Sequence, residues 1–254
     1  MESSNPVLKR GYEIATTSNQ LDDLYNAPAA SSTRTGRMTI DDVVARTGLL
    51  FAVLVAAGAV TWTAKLYGLM LPALIGALVF AMILSFSKRV KAWAAVAYAA
   101  LEGIALGVIS HYYEAAYPGI VSQAVIGTLG AFVGILFAYK TKRIRVTEKF
   151  NRMMGAALIG YLVIGLASFI ASLFGMNQGF GFYKPHSSLA LLLCVAGVGL
   201  ATFFLVVDFD QIEKMIAAGA PHEEAWRAGF GLMVTVVWLY LEVLRLLSIL
   251  RDRQ

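Results

Sequence analysis

Five ionisable side chains stand inside or at the edge of long apolar runs, and no other residues of this chain are better placed to do chemistry. Glu242 and Arg245 lie in the run from Gly229 to Leu250 (GFGLMVTVVWLYLEVLRLLSIL), Glu102 lies in the run that contains LEGIALGVIS, and Asp208 with Asp210 ends the apolar run before that of Glu242. A charge at the centre of a bilayer costs roughly 2.5 to 3.5 kcal/mol on insertion scales, so Glu102 and Glu242 are expected to face a bundle interior or a water-filled cavity rather than lipid. Two carboxyls close together cannot both ionise comfortably; they share a proton and titrate as one unit. Such a unit could sense pH or hold a cation, and Asp208 with Glu242, on runs adjacent in sequence, is the candidate pair. Structural readings compete with it. Glu242 and Arg245 are three residues apart on one helical face and could neutralise each other, and Asp210 could pair with Lys214 one turn on.

The elements that position these acids are membrane spans. Apolar residues make up 58% of the 254 and charged residues only 15%. A hydrocarbon core of roughly 30 Å needs about 20 helical residues. Seven runs qualify: Val43 to Ala64, Gly68 to Phe86, Ala92 to Tyr112, Gly119 to Tyr139, Met153 to Phe174, Ser188 to Val207 and Gly229 to Leu250. The expected fold is all-α, a polytopic seven-helix transmembrane bundle spanning residues 39–254. Residues 1–38 are polar and aperiodic and read as a disordered tail. Thr39 followed by Asp42 reads as a capping box that opens a helix at Ile40. The first span begins near residue 43, too late for a cleavable signal, so it is expected to serve as its own insertion signal.

Basic residues set the orientation. The N-terminal segment carries Lys9, Arg10, Arg34, Arg37 and Arg46; Lys88, Arg89 and Lys91 join the second run to the third, and a cluster from Lys140 to Arg152 joins the fourth to the fifth. The alternate connections hold only Lys65 and Lys184, which predicts a cytoplasmic N-terminus in the cell membrane. Seven spans then place the C-terminus outside, against the preference of Arg251 and Arg253. The net charge of +5 belongs to loops beside anionic lipid, and nucleic-acid binding is not needed to explain it.

Other chemistries lack their residues. His111, His186 and His222 are scattered, with no HExxH and no cysteine partner, so no zinc site is expected. Ser85 and Lys88 match an S-x-x-K spacing with no further acylation motif around them. Cys194, the single cysteine, is expected to pack. The chain is therefore read as a non-enzyme that needs no cofactor. Gly103 with Gly107, and Gly130 with Gly134, have the four-residue spacing that lets helices approach closely. The Gly-rich segment from Gly175 to Ser188 reads as a connector.

The runs FFLVVDFDQIE (Phe203 to Glu213), VWLYLEVLRLL (Val237 to Leu247) and LEGIALGVIS (Leu101 to Ser110), with the span count, resemble the transmembrane Bax-inhibitor-motif family, in particular its bacterial YccA-like branch. The resemblance covers roughly Val43 to Arg251. It implies a bundle whose last helix runs through the middle, wrapped by the other six, and a pH-sensitive calcium leak gated by a proton shared between an acid in the sixth helix and one in the seventh. Asp208 and Glu242 occupy those positions and would be transient calcium ligands, with Glu102, Asp210 and Arg245 along the ion pathway. The sequence departs from the pattern in carrying Glu at position 242 where an acid one methylene shorter is expected. The longer connection also leaves the depths of the two acids unmatched: a seventh helix starting at Gly229 buries Glu242 about 20 Å along its axis, so pairing requires a start nearer Leu232 or a deeper Asp208. The implied partners are the lipid bilayer, calcium ions and protons. The alternative implied by the same resemblance is an interaction protein that modulates a membrane protease or stress response through other membrane proteins.

Overall fold

The computed structural model describes residues 36–87, 89–141, 146–174 and 188–253. Seven long helices follow in order: α1 Ile40–Thr63, α2 Met70–Phe86, α3 Ala92–Ala116, α4 Ile120–Lys140, α5 Glu148–Leu173, α6 Ser188–Ala217 and α7 Ala225–Arg251. All seven are long and apolar enough to cross a membrane, and the chain folds as the all-α seven-helix membrane bundle that its hydropathy predicts. Large apolar side chains such as Leu71, Val133, Leu162 and Leu192 face outward, as a hydrocarbon solvent permits.

α7 packs against α1, α3, α4 and α6, while α2 packs on α3 and α5 on α6. The last helix is therefore central, with four principal neighbours rather than an even wrap of six. α3 shares the centre, since half of the apolar window of each of α3 and α7 is buried, against 11% for α5. Small residues allow the tightest seam. A Cβ on Gly103 would run into the Leu54 carbonyl, and one on Gly107 would lie 2.6 Å from the Gly58 carbonyl oxygen, so α1 and α3 meet backbone to backbone. The other glycine pair does not behave this way. A Cβ on Gly130 or Gly134 meets nothing within 4 Å, so identical spacing on α4 marks an outward face.

The first turn of α1 carries the expected capping box. Asp42 N–H donates to Thr39 Oγ1 at 3.3 Å, and Thr39 N–H donates to Asp42 Oδ2 at 3.0 Å. Residues 36–38, assigned with the tail from composition, are pinned to the α6–α7 connection. Met38 N–H donates to the Ala220 carbonyl at 2.8 Å, His222 N–H donates to the Gly36 carbonyl at 2.9 Å, and Met38 is buried with Val43, Ile212 and Ala225. Arg46 adds a tie beside it: its guanidinium donates to the His222 carbonyl and lies over the Trp226 ring. The remainder of the tail and most of the Gly175 to Ser188 segment lie outside the described residues, as do His186 and Lys88.

At the opposite face the charges near the C-terminus are taken up by the fold. Arg251 donates to the Pro118 carbonyl at 2.7 Å and to Gln123 Oε1 at 3.1 Å, and the Tyr117 hydroxyl donates to Asp252 at 2.5 Å. Glu114 caps α4 across the left-handed Gly119, accepting from the Gly119 and Val121 amides at 2.6 and 3.0 Å. An odd number of full spans thus places the two ends of the bundle on opposite faces, and Arg251, one of the two basic residues that argued against this, has partners there.

Candidate functional site

α7 starts at Ala225, earlier than hydropathy indicates. Glu242 consequently lies about 25 Å along the helix, deep in the bundle and only 6% exposed. Its Oε1 accepts from the Tyr161 hydroxyl of α5 at 2.5 Å and from the Trp238 indole N–H, one turn back on α7, at 3.2 Å. The Tyr161 and Trp238 rings lie 5.8 Å apart. Across the seam is Gly197 of α6, where a Cβ would stand 2.7 Å from Glu242 Oε2 and would also strike the Tyr161 hydroxyl. Glycine at 197 leaves the carboxyl and the tyrosine hydroxyl their room; a larger residue would have to push both aside. Oε2 itself has no hydrogen-bond partner. Arg245, one turn on, lies within electrostatic reach of Tyr113, Tyr161 and Cys194; Cys194 is fully buried against Ala190 and Ile249.

Asp208 occupies a second site nearer the other end of the same seam. Thr235 of α7 stands beside its carboxyl, its own hydroxyl donating to the Gly231 carbonyl at 3.3 Å, and Asp208 Oδ2 is buried without a partner. The two acids of the candidate pair therefore have different neighbours. Gly197, which faces Glu242, is about 16 Å along α6 from Asp208, and Thr235, which stands beside Asp208, is about 10 Å along α7 from Glu242. The structure does not bring the two carboxyls into contact. The reason is register: α6 and α7 are antiparallel, and the start of α7 at Ala225 carries Glu242 past the level of Asp208. Between the sites the seam is apolar, filled by Ala201 and Leu205 of α6 and by Val236 and Leu239 of α7.

The remaining candidates are distributed. Glu102 lies beside Tyr98, one turn back on α3, and the Tyr98 ring stands edge-on to Phe230 of α7 at 5.0 Å, so Glu102 neighbours an aromatic pair that reaches the Asp208 half of α7. Asp210 pairs with the exposed Lys214 at 2.6 Å, the i,i+4 alternative foreseen for it. Among the described residues no group of three or more His, Cys, Asp or Glu could hold a metal ion. His111 instead stacks on Tyr67 at 4.5 Å and meets the edge of Trp62. Sequence reasoning missed Tyr161, Trp238, Gly197 and Thr235. Trp238 was within reach, since it precedes Glu242 by four residues on one helix, but the partners on α5 and α6 carry no signal that a single sequence exposes.

Two comparisons bear on identity. The family model described as Bax inhibitor 1 like matches residues 5–252. An uncharacterized protein of Chlamydia muridarum (strain MoPn / Nigg) is 28% identical over 127 residues, a stretch that covers half of this chain and half of that relative.

Proposed function

This chain belongs to the Bax inhibitor 1 like family, and on that premise we propose that it is a passive, pH-gated cation leak, carrying calcium, in which Asp208 and Glu242 are successive carboxyl sites on the α6–α7 seam. One observation carries the reading: each of these acids, enclosed by helices, presents one oxygen with no hydrogen-bond partner. An unsatisfied carboxylate in a low-dielectric bundle is costly, and either a proton or a cation relieves the cost. Protonated, Asp208 rests beside Thr235 and Glu242 against Tyr161 and Trp238, neither station carries a charge, and neither draws a cation inward. Ionised, both acids expose hard oxygen ligands of the kind calcium prefers, Glu242 with the Arg245 cation one turn away. Flux should therefore rise with pH.

The family resemblance supplies the ion and the idea of a shared proton, and the geometry modifies the second: the acids act as two stations rather than as one dyad. Glu102 and Arg245 flank the stations, and Asp210 lies at the tail end of the path. We place the protein in the cell membrane with its N-terminus in the cytoplasm, because the basic connections lie on the N-terminal face. The test is calcium influx into liposomes containing the purified protein across a range of pH, with Asp208→Asn and Glu242→Gln alongside. Each variant fixes one station in its neutral form and is expected to lower the flux and flatten its pH response. Unchanged profiles in both would overturn the two-station mechanism. Absence of flux in the wild type would favour instead a protein that acts through membrane partners.

A further inference from the structure

We infer that the barrier between the two acid stations is an apolar plug formed by Ala201, Leu205 and Leu239; the inference rests on the proposed leak and adds the gate that the leak requires. These three residues are fully buried, at 0% exposure, and belong to one cluster with Leu232 and Val236. Ala201 and Leu205 lie between Gly197 and Asp208 on α6, and Val236 and Leu239 lie between Thr235 and Glu242 on α7. The plug therefore sits at the only stretch of the seam that separates Glu242 from Asp208. Its sides are sealed by Phe51 of α1 and by Phe132 and Ile135 of α4, so four helices close around it.

The spacing makes this layer a barrier rather than incidental packing. A calcium ion holds its oxygen ligands at about 2.3 to 2.6 Å. The acid stations are separated by about 10 Å of α7 and 16 Å of α6, so no ion bound at one acid can reach the other without crossing the apolar layer. Apolar constrictions of this kind stop conduction by excluding water, and they open when they widen or acquire a polar wall. Charge at Asp208 and Glu242 acts on the plug from both sides. While both are neutral the layer stays dry, and ionisation of both favours hydration at its two edges.

The experiment uses the full chain in liposomes with an entrapped calcium indicator. Leu205→Ser and Leu239→Ser place a hydroxyl and free volume in the layer. Leu205→Ile keeps it apolar, and Leu84→Ser makes the same change at a fully buried leucine of α2 that belongs to a different cluster from the seam residues. At acidic pH, where the wild type is closed, both seam serines are expected to raise calcium influx at least about tenfold and to flatten the pH profile, as hydration of an apolar gate requires, while Leu205→Ile and Leu84→Ser follow the wild type. If either serine variant fails to fold, Leu205→Ala and Leu239→Ala, which widen the layer without a polar group, are expected to raise acidic-pH flux in the same direction. A pH-gated wild type whose seam variants keep its profile overturns the plug and leaves the leak standing, and so does a gain of flux in Leu84→Ser equal to that at the seam. A wild type and seam variants that all carry no flux overturn the leak, and the plug with it.

Discussion

Glu242 is held by three residues that seat it: Tyr161 and Trp238 donate to one oxygen, and Gly197 makes room for the other. Gly197→Ala therefore tests the site without touching a charge. The added methyl must displace the carboxyl and the tyrosine hydroxyl, and overpacking of this kind costs about 1 to 3 kcal/mol, to be read as a lower thermal unfolding midpoint in detergent. Tyr161→Phe removes one of the two obstructing groups, so the double variant is expected to lose less than the sum of the singles. Strict additivity would place the Tyr161 hydroxyl elsewhere. At this scale the sequence was informative about which acids are buried and uninformative about what faces them. A carboxyl in an apolar run is visible because its cost is visible, whereas Tyr161 and Gly197 look like any tyrosine and glycine in a span until α5 and α6 are placed beside α7. Asp210 was legible through Lys214, because an i,i+4 pair needs only one helix.

The helices themselves were read closely from hydropathy, since a run of the required length has few alternatives in lipid. Their ends were less legible. α6 extends through Ala217 and α7 begins at Ala225, because polar residues continue a helix beyond the hydrocarbon where hydropathy stops seeing it. That shift of register decides whether Asp208 and Glu242 meet. The two glycine pairs show the same limit. Spacing alone marks both as close-packing sites, but only Gly103 and Gly107 face another backbone. Alanine at either is expected to destabilise the α1–α3 seam by about 1 to 3 kcal/mol. Alanine at Gly130 or Gly134 is expected to be neutral, or to stabilise by up to about 1 kcal/mol through helix propensity. Unfolding midpoints of the four single variants check this, and a large loss at Gly130 or Gly134 would mean that this face of α4 is covered.

Across the whole molecule, seven full spans put the N-terminal pin at Met38 and the C-terminal anchor at Arg251 on opposite faces. Epitope tags at the two ends are expected to be reached by protease from opposite sides of sealed vesicles, the N-terminal one from the cytoplasmic side; protection of both from the same side would remove a span. The C-terminal anchor makes its own pH prediction. The hydrogen bond to Asp252 holds the Tyr117 phenol above its ordinary value, favouring the protonated form in the folded state. Its contribution is thus present at neutral pH and fades as pH rises past the unfolded value of about 10 and through the raised folded one. Tyrosinate absorbance lost in Tyr117→Phe is expected to titrate above that ordinary value, and lower in Asp252→Asn. The central claim concerns the seam between α6 and α7, and calcium influx into liposomes from about pH 5 to pH 8, the window in which physiological switches operate, tests it most directly. The two-station leak predicts influx that climbs with pH in the wild type and is low and flat in both Asp208→Asn and Glu242→Gln; influx no greater than that of empty liposomes at every pH would contradict it.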